Sequence, residues 1–122
     1  GIPVIEHERH YSGIPAVIDK DRLSSLLAVE LEAEALIIST AVPAVYTNFG
    51  QEDQCEHRHL SVEQAGEYLK QDQFPPGSMG PKIKSMIDAI VALPSMRSIL
   101  CQPGDALSAM RGDAGTTLSQ DD

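Results

Sequence analysis

The stretch Ala16–Tyr46, AVIDKDRLSSLLAVELEAEALIISTAVPAVY, decides the fold. It reads as an approach segment, an acid–lysine–acid turn (Asp19, Lys20, Asp21), a helix, a strand and a loop. Leu23, Leu26, Leu27 and Leu31 follow the i, i+3, i+4, i+8 spacing of one helical face, which predicts that this face turns inward. Glu30, Glu32 and Glu34 fall outside that stripe, and Asp21 stands at the expected N-cap, just before the periodic residues. The almost continuous apolar run Ala35–Thr40 suits a strand buried on both faces, as in a parallel sheet covered by helices. Loops at the strand–helix switches of such sheets hold ligands, and helix N-termini favour anions. Lys20 between two aspartates is therefore a candidate phosphate and metal station. A solvated helix cap with a surface ion pair explains the same residues.

Outward from this stretch, strands and helices alternate. Residues 1–5 read as the end of a strand, and His7–Gly13 as a hairpin-like loop. Ala41–Gln54 is a loop, with Pro43, Asn48 and Gly50 as turn residues, and Cys55–Leu60 a short strand. Ser61-Val-Glu-Gln64 is a capping box opening a helix to about Lys70. Gln71–Gly80 is a loop, and Pro81 suits the first turn of a helix with Ile83, Met86, Ile87, Ile90 and Val91 on one stripe, ending before Pro94. Arg97–Cys101 is a buried strand. Pro103–Met110 is a last helix with Ala106, Leu107 and Met110 inward and Gly112 as its stop. Thr116–Leu118 closes the order as a strand, and the terminal residues from Ser119 fray. This alternation predicts an α/β fold with a mainly parallel sheet.

The 122 residues suit one domain or part of one. Nine basic against eighteen acidic residues give a net charge of −9, so the basic footprint of duplex binding and the polybasic patch of a membrane binder are both missing. No apolar run approaches the ~20 residues of a bilayer span. Cys55 and Cys101 do not form a disulfide framework, and a reducing cytoplasm is the simplest compartment.

Pro76-Gly-Ser-Met-Gly-Pro-Lys82 is a second candidate station. Its glycines let backbone approach a ligand, the following helix start offers free N–H groups, and Lys82 supplies a compact positive charge. A flexible surface loop with a chance lysine is the alternative, and the Walker A spacing is missing. Cys55, His57 and His59 would share one strand face, but the usual zinc spacing is lacking and a solvated edge accounts for them, as a loop does for His7 and His10. Arg111-Gly-Asp113 sits at a helix stop and carries no role, and Met86, Met96 and Met110 fill core.

Ile18-Asp-Lys-Asp21, Val45-Tyr-x-Asn-Phe-Gly50, Pro76–Lys82 and Gly112-x-Ala-Gly-Thr116, in this order, resemble the carboxy-terminal half of carbamate kinases, in the amino-acid kinase superfamily. The resemblance covers nearly the whole chain. It implies a three-layer α/β/α sandwich holding an ATP site, with residues 1–122 as the nucleotide-binding half. It also implies phosphoryl exchange between ATP/ADP and carbamate or carbamoyl phosphate with Mg²⁺, no nucleic-acid or membrane partner, and a homodimer in the full-length protein. By position, Asp21 resembles the acid that orients lysines around the transferred group, Lys82 the lysine on the terminal phosphates, and Lys20 a nearby phosphate contact. The Thr40–Tyr46 loop, including Ala41 and Val45, and Gly77–Met79 resemble walls of the nucleotide pocket. No metal ligand carries over. Phosphoryl transfer needs positioning and charge neutralisation, and carbamate brings its own anionic oxygen, so no general base is required.

Two departures matter. Ala41-Val-Pro43 stands where relatives carry aspartate or glycine and then aspartate, which predicts weaker or altered nucleotide binding. The family's amino-terminal half, with its glycine-rich phosphate loop and carbamate pocket, lies outside this sequence, so these residues alone are expected not to turn over carbamate and to expose apolar surface. A superfamily kinase with another acceptor and a non-catalytic nucleotide-binding or assembly module remain alternatives.

Overall fold

The computed structural model describes residues 2–121. Its centre is a four-stranded sheet built from β3 (Ala35–Ser39), β6 (His59–Ser61), β7 (Arg97–Cys101) and β8 (Thr116–Ser119), in the order β3-β7-β8-β6. The β3–β7 and β6–β8 pairings are parallel and β7–β8 is antiparallel, so the sheet is mainly parallel with one reversed strand. Helices α1 (Lys20–Glu30), α2 (Val62–Lys70) and α3 (Met79–Ala92) contribute one layer, and the short α4 (Ala106–Met110) the other. The main core joins Leu36, Ile38, Leu60, Leu100 and Leu118 of the sheet to Ala28, Ala65, Ile83, Met86 and Ile90 of the helices. A smaller cluster of Ile99, Cys101 and Ala109 seats α4 on the opposite face. This is the expected α/β/α sandwich.

Two ribbons flank the sheet. β1 (Val4–His7) and β2 (His10–Gly13) form an exposed hairpin with positive φ at both turn residues, Glu8 and Arg9, the geometry that matches strand twist in two-residue loops. β4 (Val45–Thr47) pairs antiparallel with β5 (Cys55–His57). The expected single strand over Cys55–Leu60 is thus two strands in different sheets, broken at Arg58.

Local signals hold. Ser61 Oγ accepts from the Gln64 amide at 3.1 Å while Gln64 Oε1 accepts from the Ser61 amide at 3.0 Å, completing the capping box. Pro81 lies in the first turn of α3, where a missing N–H leaves nothing unpaired, although the helix begins at Met79, inside the expected loop. Gly112 and Gly115 have φ of +83° and +71°, and a side chain at Gly115 would run into the Leu100 carbonyl. Met86 and Met96 are core, whereas Met110 is exposed.

Inward-facing assignments made from apolar residues alone fail in several places. The leucine stripe of α1 faces solvent: Leu23, Leu26, Leu27 and Leu31 are 41%, 59%, 55% and 70% exposed. The buried stripe is instead Asp21, Ser25 and Ala28, small or polar residues that let α1 lie close against α3. β3 is buried on one face only: Leu36 and Ile38 enter the core, whereas Ile37 and Ser39 on the other face are open because α4 covers β7 rather than β3. β3 is also an edge strand. In α3, Val91 is exposed and Ala89 takes the inward place. The last helix starts at Ala106, after a turn at Gly104 (φ +91°), and Ala109 rather than Ala106, Leu107 or Met110 is buried. β8 is a central strand, with Ser119 paired inside it. Of the terminal residues expected to fray, Asp122 lies outside the described ones.

Burying a leucine is worth about 1.5–3 kcal/mol, which α1 forgoes at four positions in this chain. Leu27→Ala is therefore expected to cost under about 0.5 kcal/mol in urea unfolding, against about 2–5 kcal/mol for Ile83→Ala, and comparable costs would contradict the observed burial. The open face should also make the chain self-associate, and a concentration-independent monomer in sedimentation velocity would refute that.

Candidate nucleotide site

Asp19, not Asp21, caps α1. Its Oδ1 accepts from the amides of Asp21 (2.9 Å) and Arg22 (3.2 Å). The expected cap at Asp21 is thus corrected: capping by Asp19 places Asp21 in the first helical turn with its carboxylate turned inward. There it meets Lys82, from the first turns of α3, with Nζ 3.1 Å from Oδ2 and 3.3 Å from Oδ1. Each side chain is 12% exposed. Lys20 stands at the solvent edge of this pair, with Nζ 3.8 Å from the Asp21 Oδ2.

A dish of about 490 Å³ opens over the pair, lined by Ile18–Asp21 and by Gly77, Ser78, Pro81 and Lys82. The N-terminal ends of α1 and α3 both border it, but Asp19 takes the Asp21 and Arg22 amides, the Pro75 carbonyl takes those of Ser78 and Gly80, and Pro81 has none, so the helix dipoles rather than a row of free amides add to the two lysines. Gly77 contributes backbone only, and a side chain there would meet nothing within 4 Å. The gross attraction of an ion pair near a surface is on the order of 4 kcal/mol, much of it offset by desolvation. Its consequence is aim more than stability: Asp21 holds the Lys82 ammonium at the rim of a dish whose charged lining is two lysines, Lys20 and Lys82, and two aspartates, Asp19 and Asp21.

Ser78 also lines a second cleft, of about 310 Å³, so the two cavities adjoin. Its walls are the Thr40–Ala44 loop, the rings of Tyr46, Phe49 and Phe74, and Met79. Tyr46 and Phe49 pack with ring centroids 5.7 Å apart. Polar groups are few: Thr40, Gln73 and Ser78. A mostly apolar, aromatic cleft leading into a dish with two lysines has the chemistry to take a flat heterocycle carrying a phosphate tail.

The sequence-derived residues thus divide. Lys20, Asp21, Gly77 and Lys82 gather at the dish, and Thr40, Ala41, Tyr46 and Met79 at the cleft. Val45 is different: its side chain is fully buried in the core behind the cleft. Its amide donates to Thr116 Oγ1 at 2.8 Å, and the Thr116 hydroxyl donates in turn to the His57 carbonyl. Thr116 therefore bolts the β4–β5 ribbon, which carries Tyr46, to the central sheet. Phe49 and Phe74 line the cleft without having been singled out, although Phe49 falls within the Val45–Gly50 motif. Gln73 and Thr116 act through long-range hydrogen bonds that leave no periodic trace.

The Tyr46 hydroxyl donates to Glu56 Oε2 at 3.3 Å, and Glu56 Oε1 lies 3.0 Å from Arg58 Nε. Burial, then the Glu56 charge, raises this phenol above its ordinary 10.0. Burial, with Asp105 adding to it, likewise pushes up the Cys101 thiol. Cys55 and His57 lie on β5 and His59 on β6, in different sheets. Among the described residues no group of three His, Cys, Asp or Glu is placed to hold a metal ion.

A family model described as the amino acid kinase family matches residues 1–96. This chain belongs to the amino acid kinase family. Within the family it is similar to carbamate kinases from Halobacterium salinarum (41% identity over 97% of this chain) and Clostridium perfringens (38% over 97%). Carbamate kinase from Giardia lamblia bound to AMP-PNP superposes with a TM-score of 0.93 at 33% identity, over 99% of this chain and 42% of that one. A protein from Aeropyrum pernix K1 gives 0.88 at 35%, over 98% and 38%. The chain spans 38% of the length of the Halobacterium and Clostridium relatives.

Burial pushes the His57 imidazole below its ordinary 6.5, beside the Thr47 hydroxyl 2.9 Å from Nε2. A proton then binds the unfolded chain more readily than the folded one. This contribution to stability is whole above 6.5 and is lost as pH falls through the lower folded value. Urea unfolding should show lower stability at ~pH 5.5 than at ~pH 7.5, with part of that difference removed in His57→Gln; an unchanged difference would exclude His57 as its source.

Proposed function

We propose that residues 1–122 form the nucleotide-binding half of a carbamate kinase-like enzyme, which exchanges a phosphoryl group between ATP or ADP and carbamate or carbamoyl phosphate. The observation that carries this reading is the Lys82–Asp21 pair, set between two helix N-termini at the end of an aromatic cleft. The family membership and the relatives' names support it. In this reading the nucleobase lies between Tyr46, Phe49 and Met79, with the Thr40–Ala41 loop at its edge. The phosphates pass Ser78 into the dish, where Gly77 lets backbone approach.

Lys82 neutralises the terminal phosphates and the charge that develops as the phosphoryl group moves, and Asp21 fixes where the ammonium points. Lys20, exposed at the rim, reaches the outer oxygens. Carbamate attacks with its own anionic oxygen, so the site must aim and neutralise rather than remove a proton. Asp19 is committed to its cap and Asp21 to Lys82, so the donors present suit a Mg²⁺ carried by the nucleotide's phosphates rather than held in a protein cage. Such an ion would supply neutralisation of phosphate charge beside that of Lys82. The acceptor pocket belongs to the remaining length of the domain, and the isolated chain is expected to be inactive. The open leucine face of α1 and the free edge of β3 suit packing against that remainder. A homodimer in the cytoplasm completes the reading, in keeping with two free thiols.

A non-catalytic nucleotide-binding module is the second reading, favoured by the wholly apolar Ala41-Val-Pro-Ala44 wall. In calorimetric titration MgADP should bind this chain, and Lys82→Ala should weaken binding about tenfold or more; equal affinity would overturn the phosphate assignment. In the complete protein, Asp21→Asn should keep nucleotide affinity within a few-fold and cut phosphoryl transfer by at least about 100-fold, and a variant with normal turnover would favour the non-catalytic module.

A further inference from the structure

We infer that Gln73 is a positioning residue for the nucleobase end of the cleft. The inference rests on the nucleotide reading above and concerns which residue holds the cleft's two walls together. One wall is the β4–β5 ribbon, whose strand β4 carries Tyr46 and whose turn carries Phe49; the other is the chain from Phe74 to Met79, which leads from α2 into α3. These walls are far apart in sequence, and Gln73 joins them. Its Oε1 accepts from the Asn48 amide at 2.9 Å, and its Nε2 donates to Asn48 Oδ1 at 3.2 Å. One side-chain amide therefore engages both the backbone and the side chain of a single residue.

Asn48 is well chosen for this. It has φ of +52°, a left-handed conformation that asparagine tolerates better than most residues. It sits in sequence between Tyr46 and Phe49, whose rings pack together. Its own Nδ2 donates to Asp53 Oδ2 at 2.9 Å, which ties the far side of the turn. Gln73 is fixed from its other end, because its amide donates to the Tyr68 carbonyl at the end of α2 at 3.1 Å. The bridge also divides two hollows: Gln73 and Phe49 line the aromatic cleft on one side and an open groove with Gln71 and Asp72 on the other. Loss of the bridge lets the turn bearing Phe49 swing away from Phe74 and joins the cleft to the groove. The dish around Lys82 has neither Gln73 nor Asn48 in its lining, so the effect is confined to the base end.

The test compares MgADP with inorganic tripolyphosphate, which carries the anionic tail without a base. Calorimetric titration of this chain measures both, alongside thermal unfolding. Gln73→Leu keeps bulk and removes both bonds; it should weaken MgADP about tenfold and leave tripolyphosphate within about twofold. Asn48→Gly keeps the left-handed backbone and the amide donor but removes the side-chain acceptor, and should shift the same ratio in the same direction by a smaller factor. Unchanged MgADP affinity in Gln73→Leu overturns the inference. Equal weakening of both probes, in step with a lower melting temperature in both variants, also overturns it, because it assigns Gln73 a general structural role. Wild-type chain that binds tripolyphosphate but not MgADP overturns the nucleotide reading itself, an outcome distinct from failure of the Gln73 assignment alone.

Discussion

The ion pair between Asp21 and Lys82 is the contact on which the rest of the architecture turns. It joins residues 61 apart, in the first turns of two neighbouring helices. For it to form, Asp19 must take over the capping of α1, and α1 must approach α3 closely, which Ser25 and Ala28 permit where leucines would not. The α3 helix must start early, at Met79, so that Lys82 falls on the turn facing α1. Gly80 contributes to that start: a Cβ there would come within 3.2 Å of the Pro75 carbonyl, which already accepts the Gly80 amide at 2.9 Å. Small residues at one interface and a cap moved by two positions thus set the position of a single ammonium group.

What the sequence reveals about this fold depends on how far each signal reaches. The Ser61–Gln64 capping box, the first-turn Pro81, the Gly112 stop and the buried β7 strand are legible because their physics is settled within a few residues. The orientation of α1 is not legible in the same way. Leu23, Leu26, Leu27 and Leu31 do mark an apolar face, and periodicity identifies it correctly as one face. Periodicity does not say which neighbour covers that face, and here α3 packs on the alternative stripe. The same reasoning explains Ile37 on β3, apolar in sequence and open in this chain because the layer on that side reaches only β7.

The site was legible to the extent that its residues carry charge or glycine. Lys20, Asp21, Gly77 and Lys82 stand out in two short motifs, and they converge in space. Tyr46 and Met79 also lie where the motifs imply, whereas the neighbouring Val45 turns the other way, as alternation along a strand requires. Thr116 ends the Gly112–Thr116 motif, but its tethering role could not be found by pattern, and Gln73 lies in no motif. A threonine in a strand and a glutamine before Phe-Pro-Pro are ordinary residues until the partners they meet, Val45 and Asn48, are known. Hydrogen bonds across 71 and 25 residues are properties of the folded chain, not of its neighbourhoods.

The position of β8 has a consequence for how the molecule assembles. This segment, the last strand in the order, lies in the middle of the sheet, between β7 and β6. Until it inserts, the β3–β7 unit and β6 have no shared strand, and the Thr116 tether that holds the Tyr46 ribbon does not exist. A nascent chain emerging from a ribosome would carry two half-sheets with open inner edges until β8 had emerged and inserted. Such late closure by a non-local strand slows folding and lengthens the time during which those edges can pair with other chains.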